Sequence, residues 1–413
     1  MTTRKLSFYG KRILINLLLL SKAWHVATVI PSTKQTSTHI NTTVFNFLFT
    51  HKKLQTPSQD ILKLNFHHGG IAVLDFDLQQ KSLRINRLRH ILDQQQNSTW
   101  LTLPRLYLGD EILRRNNEWM FLASPTIPKI HYADPTIRYF NINIPFYLRE
   151  FLDFLRDYKH RFLLIKNPST HLIYQMFLKN KWATTRINSE YYWNSVVNRT
   201  LPWKDIWTVT YKSLHRAKYL DTYYWFLTNS LPSGHTRSTT RQPYAQHCKR
   251  CHRFETTFHM FAECPFARNV WNKYYSIYAA LLEEPNLNYT EILFSTCLPK
   301  QKHTRLLLIT LTTIIVHELW RSRCAQQKQD IPTSCNRSII TINARIKSIH
   351  FAYYNTAPDY ANRLCLPSPI CKVQDGKLTF NLPTAESEIA YTDSEFTSDE
   401  FLSQSDSNSN LST

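Results

Sequence analysis

Glycine is scarce in this 413-residue chain, which contains only six: Gly10, Gly69, Gly70, Gly109, Gly234 and Gly376. A dinucleotide-binding fingerprint needs three glycines within six residues, and a phosphate-binding loop needs two glycines around a short turn. No segment of the sequence supplies either arrangement. The shortage therefore excludes the glycine-rich nucleotide sites of Rossmann and P-loop proteins.

Cysteine is absent from the first 247 residues, and three of the eight cysteines then lie within 17 residues of one another, at Cys248, Cys251 and Cys264. A disulfide framework would distribute paired cysteines through a small secreted domain. The uneven placement instead indicates a metal site in a reducing compartment. We therefore expect a nuclear or cytoplasmic protein.

Long hydrophobic runs are also missing from the sequence. Residues 306–319 are apolar over a stretch shorter than the roughly 20 residues that a bilayer requires, and they are interpreted as a core helix. Residues 13–20 form a shorter apolar run behind four basic residues. That run is interpreted as a buried helix, with a secretory signal peptide as the alternative. No membrane partner is expected.

Acidic residues are outnumbered, because 50 Lys and Arg stand against 30 Asp and Glu and give a net charge of +20. Residues 383–413 contain seven acidic residues and no basic ones, and Ser and Thr make up half of the rest, which predicts a disordered acidic tail. Residues 1–382 thus hold 50 basic against 23 acidic residues, a net charge of +27. This surplus predicts a polyanionic partner, RNA or DNA. The tail either keeps the chain soluble or competes with nucleic acid for the basic body.

The spacing of apolar residues predicts a mainly α fold. A helical pattern covers residues 6–24, ends at Pro31 and the Thr/Ser-rich stretch after it, and resumes over 78–92. Residues 71–76 are expected to form a short strand or turn entry. After residue 195 helical spacing dominates, in segments that begin near Trp203, Tyr219, Pro265, Lys302 and Ser338. The predicted organisation is a basic helical region at 1–100, a connecting region at 101–195, a mostly helical domain at 196–355 and the tail at 383–413.

The cysteine cluster extends into the pattern Cys248-x2-Cys251-x7-His259-x4-Cys264. Two cysteines separated by two residues form a knuckle whose thiolates face one centre, and a His and a Cys from the next element complete a tetrahedron. Three thiolates and one imidazole suit zinc, and four protein ligands leave no position for a reactive water. The sequence therefore predicts one structural zinc ion. The alternatives are ordinary buried thiols without metal, or ligation by His247 or His252.

Basic side chains accompany this motif and the 78–92 helix. Phosphate contact is predicted for the side chains nearest the metal motif, Lys249, Arg250, Arg253 and Arg268. The charges of the 78–92 helix, Lys81, Arg84, Arg87 and Arg89, are interpreted as a solvated face or as further phosphate contacts. Binding through such charges is directed mainly at the phosphate backbone, so we expect a steep dependence on salt.

The residues around the metal motif resemble those of a known family. The four ligands, with Glu255-Thr256 and the segment 265–271, are similar to the zinc-binding domain that follows the polymerase in non-LTR (LINE-type) retrotransposon reverse transcriptases. Residues 6–16 and residues 65–75, which include Gly69 and Gly70, resemble segments downstream of the polymerase palm in the same proteins. These matches occur in the same order as in the family.

The resemblance implies a thumb-like region at 1–100, a reverse transcriptase zinc-binding domain at 196–355, and RNA or DNA handling during target-primed reverse transcription. The sequence has no counterpart of the family's palm, of its paired Asp residues or of its endonuclease. We therefore expect no catalytic residues, no enzymatic activity and no small-molecule substrate, and the missing palm is a further candidate partner. Two alternatives stay open: a structural or protein-interaction module in which zinc only stabilises the fold, and a decayed remnant of an element.

Overall fold

The computed structural model describes residues 6–49, 57–92, 98–104, 107, 146–151, 169–182, 187–211, 217–234, 246–284, 288–296, 301–329, 331, 333–356 and 368–384. Within these ranges the chain is mainly helical, which confirms the predicted fold class. The predicted acidic tail falls outside the described residues from position 385 onward. The predictions that the structure can test are therefore those for residues before position 385, which include the metal motif.

The first half of the chain contributes helices α1 (Phe8–Val29), α2 (Lys34–Phe49), α3 (Gln59–Lys63), α4 (Phe76–Leu92) and α5 (Thr170–Trp182). A π-helical segment at Ile15–Leu19 lies within α1, and short 3-10 turns cover Phe66–His68 and Thr99–Leu101. Helix α4 agrees with the helical spacing of residues 78–92.

The second half contributes α6 (Asn188–Val196), α7 (Trp203–Thr210) and α8 (Ala217–Leu227), followed by a π-helical turn at His259–Glu263. Next come α9 (Pro265–Leu282), α10 (Tyr289–Phe294), α11 (Lys302–Gln329) and α12 (Cys335–Thr356). The strands β1 (Cys371–Gln374) and β2 (Lys377–Phe380) then pair as an antiparallel hairpin, with Cys371 opposite Phe380. The residues of the predicted core helix at 306–319 are buried within α11, as expected.

The helix break predicted at Pro31 is confirmed, since α1 ends at Val29 just before it. The Thr/Ser-rich stretch is not part of the break, because α2 begins at Lys34 and runs through it. Its threonines satisfy their hydroxyls within the helix: Thr38 donates to the Lys34 carbonyl at 2.9 Å, and Thr43 to the His39 carbonyl at 2.9 Å. Of the two expectations for residues 71–76, the strand is wrong, because residues 71–75 form none and Phe76 already belongs to α4.

Helix α1 corrects the expected burial of the apolar run at 13–20. The run is helical, but Leu17, Leu18 and Leu19 are 66%, 56% and 51% exposed. By length and composition α1 could cross a membrane, and 17% of its most apolar window is buried. Core helices of soluble proteins and signal sequences have the same length and composition, so the absence of a membrane partner stays a prediction.

The chain divides into two compact units that each use separated parts of the sequence. The larger unit comprises Met1–Arg12, Asn46–Ala72 and Ile187–Thr413, and the smaller unit comprises Ile13–Phe45 and Val73–Arg186. Residues 46–72 therefore belong to the same compact unit as the metal motif, although they lie more than 170 residues before it. The predicted domain boundaries at 100 and 195 stay a prediction.

The core of the larger unit is rich in buried aromatic side chains. Trp193 and Phe226 pack with their ring centroids 4.9 Å apart, and the Trp193 indole donates to the Leu227 carbonyl at 2.9 Å. Trp271 of α9 donates to the Phe261 carbonyl at 2.7 Å, which ties that helix to the preceding π-helical turn. Burying large rings with their polar atoms satisfied gives this core its main stabilisation.

The smaller unit buries the guanidinium of Arg84, which was predicted to lie on an exposed side of its helix. Arg84 is fully buried: it donates to the Val29 carbonyl at 3.0 Å, pairs with Glu150, and lies over the Phe151 ring at 4.8 Å. Burial lowers the pKa of the Arg84 guanidinium, although Glu150 favours its charged form. The interpretation of Arg84 as a solvated or phosphate-contacting residue is therefore wrong.

Gly70 is a position where the backbone leaves no room for a side chain. A Cβ atom there would lie 2.0 Å from the Leu64 carbonyl oxygen and 2.6 Å from the Ile61 carbonyl oxygen. We expect Gly70→Ala to lower the free energy of unfolding by about 3 kcal/mol, because the clash is with backbone. Urea unfolding followed by tryptophan fluorescence measures this change. The control Gly10→Ala meets the flexible Ser7 side chain and should change stability by less than about 1 kcal/mol. Similar losses in both variants would contradict the account.

Candidate metal centre

The first two candidate ligands lie on a tight hairpin loop at residues 246–255. The Cys248 amide donates to the Arg253 carbonyl at 2.8 Å, and the His252 amide donates to the Cys248 carbonyl at 2.8 Å. His252 has a positive φ of 58°, which turns the chain back so that His247 and Phe254 pair as an isolated β-bridge. This is the knuckle expected for two cysteines separated by two residues.

The other two ligands lie at the ends of the π-helical turn His259–Glu263 and its cap. The Thr256 hydroxyl accepts from the His259 amide at 2.9 Å and starts the turn. The Cys264 amide donates to the His259 carbonyl at 2.8 Å, five residues back, which brings the two ligands to the same side. Pro265 then begins α9, where its missing N–H costs nothing.

The four side chains meet in one place. Their ligand atoms all lie within 4.8 Å of one another, with Cys248 Sγ 3.9 Å from Cys264 Sγ and Cys251 Sγ 3.2 Å from His259 Nε2. Two atoms at about 2.3 Å from a shared tetrahedral centre are roughly 3.8 Å apart, so these separations suit ligation of a single ion. The four residues predicted from sequence spacing can therefore hold one metal ion.

The protonation of the sulfurs favours a cation. Because the neighbouring Cys264 thiol hydrogen-bonds to the Cys248 sulfur, the pKa of Cys248 falls to about 3. The same contact raises the pKa of Cys264, and burial adds to that rise. A divalent ion bound between the two sulfurs would supply the positive charge that stabilises both of them as thiolates.

His259 is oriented for ligation through Nε2. Its ring is buried, and its other nitrogen, Nδ1, lies 3.8 Å from the Glu263 carboxylate one turn further along. Metal-bound histidines commonly direct their second ring nitrogen toward a carboxylate, which fixes the ring and its tautomer. The suggested substitutes, His247 and His252, are exposed and lie outside the group of four ligand atoms.

No protein-family model and no curated protein matches this chain.

Arg250 is held by protein groups beside the site. Its guanidinium lies over the Phe266 ring at 3.5 Å, donates to the Ser322 hydroxyl at 2.6 Å, and is hydrogen-bonded to the Gln326 side chain. Burial lowers the pKa of Arg250, although Cys264 and Cys248 favour its charged form. These contacts join the knuckle to α9 and α11. Phosphate contact by Arg250 stays a prediction that this geometry does not favour.

The other three side chains predicted to contact phosphate are exposed. Lys249 donates to the Gln327 carbonyl at 3.5 Å, and Arg268 donates to the Ala262 carbonyl at 3.3 Å. Arg253 follows the positive-φ residue of the knuckle and leaves its side chain at the surface. Lys249 and Arg253 lie on the hairpin itself, and Arg268 lies in the first turn of α9. Solvent-exposed cations thus flank the four-ligand cluster.

A buried ion pair beside the knuckle was not predicted from the sequence. Glu255 and Arg323 are 1% and 7% exposed, and they form a two-point pair that includes an Arg323 Nε to Glu255 Oε2 distance of 3.1 Å. Glu255 also accepts from the Gly234 amide at 2.9 Å. The pair fixes the end of the knuckle to α11. No local spacing signals a contact between residues 68 positions apart.

Proposed function

We propose that this protein is a non-catalytic, zinc-stabilised nucleic-acid-binding module related to the C-terminal part of LINE-type reverse transcriptases. The observation that carries the proposal is the four-ligand cluster of Cys248, Cys251, His259 and Cys264 with exposed cations around it. The cluster belongs to a body with a net charge of +27 over residues 1–382. A nucleic-acid backbone is the partner that this charge suits best.

Zinc is the metal that we propose for the cluster. Three sulfurs and one imidazole nitrogen form a donor set that zinc takes in structural sites, and thiolates disfavour magnesium and calcium. Because all four ligands come from the protein, the ion would hold the knuckle against the π-helical turn and would activate no water. Its contribution would be to folding, and the surrounding cations would make the contact with the partner.

A protein-interaction module is the rival function, and the aromatic helices argue against it. Such a module would present Trp and Tyr side chains of α7 and α8 on its surface. Most of the Trp and Tyr rings in the described part of these helices are instead buried in the core of the larger unit, and Trp225 is half-buried; the buried rings are Trp203, Trp207, Tyr219, Tyr223 and Tyr224. Lys249, Arg253 and Arg268 are exposed beside the metal cluster, and this local basic charge favours a polyanion.

The proposed relation to a reverse transcriptase rests on the resemblance of several segments in the family's order, one of which packs against helices that precede the metal motif. Gly69 and Gly70 lie in that segment, and the Gly69 carbonyl accepts from the Tyr224 hydroxyl of α8 at 3.2 Å. A Cβ atom on Gly69 would lie 2.8 Å from the Trp207 ring of α7. This segment and the metal motif therefore belong to the same compact unit.

The proposed function predicts salt-dependent binding that the exposed cations control. We expect the triple variant Lys249→Gln, Arg253→Gln and Arg268→Gln to bind RNA and DNA more weakly. Each cation in contact with a phosphate contributes about one unit to the slope of log affinity against log salt, so the slope should fall by about three. Fluorescence anisotropy across a salt series measures both quantities.

The matched control removes the same charge elsewhere in the larger unit. The chosen residues are exposed lysines: Lys204, Lys372 and Lys377. We expect their triple replacement by Gln to reduce the affinity and the slope of its salt dependence less than the first triple variant does. Equal effects of the two triples would show that net charge acts without a site at the metal cluster. Weak binding of the unmodified protein to both RNA and DNA at low salt would overturn the proposed function.

A further inference from the structure

The knuckle presents an aromatic ring at the protein surface. Phe254 is 45% exposed, although it lies next to Glu255, which is 1% exposed. Its partner across the β-bridge is His247, which is also exposed. Residues paired across an antiparallel bridge project on the same face, and the two ring centroids are 6.3 Å apart at an angle of 83°. One face of the hairpin therefore carries a pair of rings.

This exposure is unusual for the aromatic residues of the same region. Within the described residues 246–284, Phe261, Trp271, Tyr274 and Tyr278 are buried. The ring of Phe266 is covered by the Arg250 guanidinium. Phe254 thus differs from its neighbours in presenting nearly half of its surface to solvent. Core packing accounts for the other rings and leaves that exposed area of Phe254 unexplained.

Two exposed cations precede this ring in the sequence and lie on the same hairpin. Arg253 directly precedes Phe254, Lys249 lies in the turn, and both side chains are exposed. Proteins that bind single-stranded nucleic acid combine cations that track the phosphates with aromatic rings on which bases stack. A duplex keeps its bases stacked on one another, so an exposed ring on a hairpin gains little from it. The combination fits a single strand.

We propose that Phe254, with His247 opposite it, is a base-stacking platform for single-stranded nucleic acid, and that Lys249 and Arg253 contact the adjacent phosphates. This proposal rests on the proposed function and adds to it the strandedness of the partner and the residue that recognises its bases. Because every base has an aromatic face, the platform selects unpaired nucleotides with little preference for sequence.

The test compares single strand with duplex in the zinc-loaded full chain. Anisotropy is measured with labelled single-stranded oligo(U) of about 12 nucleotides, which is within the usual site size, and with an RNA duplex of the same length. Phe254→Ala should weaken single-strand binding about tenfold and change duplex binding less than about twofold. Phe254→Leu keeps apolar bulk and lacks the π face, so it should show the same selective loss. Phe254→Tyr should bind like the unmodified protein.

The matched control is Phe351→Ala. Phe351 is exposed to nearly the same extent as Phe254, at 44%, and it lies near the end of α12, outside the knuckle. That variant should bind both probes normally. Single-strand affinity unchanged in Phe254→Ala and Phe254→Leu, with the unmodified protein binding well, would overturn the platform and leave the proposed function standing. Equal losses on both probes would also overturn it. An unmodified protein that binds neither probe would overturn the proposed function itself.

Discussion

Replacement of Cys248 by Ser is expected to reduce bound zinc from one ion per chain to none and to unfold the region around the knuckle. Structural zinc sites contribute about 10 kcal/mol or more to folding at neutral pH, and a hydroxyl is a poor substitute for a thiolate ligand. Cys248 is buried 3.9 Å from Cys264, so its loss leaves an incomplete ligand set inside the protein. Mass spectrometric metal analysis and thermal unfolding measure the two effects.

The control for this prediction is Cys335→Ser. Cys335 is a half-buried cysteine of the same compact unit and lies outside the group of four ligand atoms. We expect this variant to keep one zinc ion and most of its thermal stability. A Cys248→Ser protein that retains a full equivalent of zinc and melts like the unmodified chain would contradict the assignment of the metal centre.

Replacement of Arg323 by Met is expected to lower the free energy of unfolding by about 4 kcal/mol. The change would leave the Glu255 carboxylate buried without its cation, and an uncompensated buried charge is strongly destabilising. Because Glu255 ends the knuckle, the variant should also bind zinc more weakly. Urea unfolding of the zinc-loaded protein and competition with a chelator measure these losses.

Two comparisons separate this pair from an ordinary ion pair. The double variant Glu255→Gln with Arg323→Met removes both charges and should recover part of the lost stability. Arg199→Met breaks the partly exposed pair of Arg199 with Glu291, 3.3 Å apart, and should cost less than about 1 kcal/mol. An Arg323→Met loss no larger than the Arg199→Met loss would show that the buried pair does not anchor the knuckle.

The metal cluster could be predicted from the sequence because its geometry is local. Cys248 and Cys251 are joined by one tight turn, and His259 and Cys264 are joined by one π-helical turn, so their spacing alone sets their separation. The same reasoning holds for the helices, since apolar spacing identifies the buried face of α9, and the continuous apolar run at 306–319 identifies the buried part of α11. These features depend on residues that are close together in the chain.

Features that depend on distant residues could not be predicted in this way. Arg250 and Glu255 both lie in or beside the knuckle, and their partners on α11 are more than 65 residues further along the chain. A phosphate contact was predicted for Arg250 from its charge alone. In the structure its guanidinium instead hydrogen-bonds to Ser322 and Gln326 and lies over the Phe266 ring. The grouping of residues 46–72 with the metal motif is likewise a result of tertiary packing.

Helix α2 could not be predicted for a different reason, which is that its sequence has a low intrinsic preference for a helix. Ser and Thr compete for backbone hydrogen bonds and usually favour caps and turns. In α2 the Thr38 and Thr43 hydroxyls bond to carbonyls one turn back, and its final residues Leu48 and Phe49 are buried. Packing of the apolar end therefore outweighs the local preference of the threonines.

If a metal-folded knuckle binds nucleic acid through its exposed cations, binding should depend both on salt and on the metal, and a salt-series titration measures both. Single-stranded RNA is titrated with the zinc-loaded chain and with chelator-treated chain between about 50 and about 200 mM salt. We expect zinc-loaded protein to bind at low salt and to lose at least about tenfold in affinity across the series, and we expect chelation to abolish the tight binding. Affinity that is unaffected by chelation, or that is weak even at the lowest salt, would contradict this expectation.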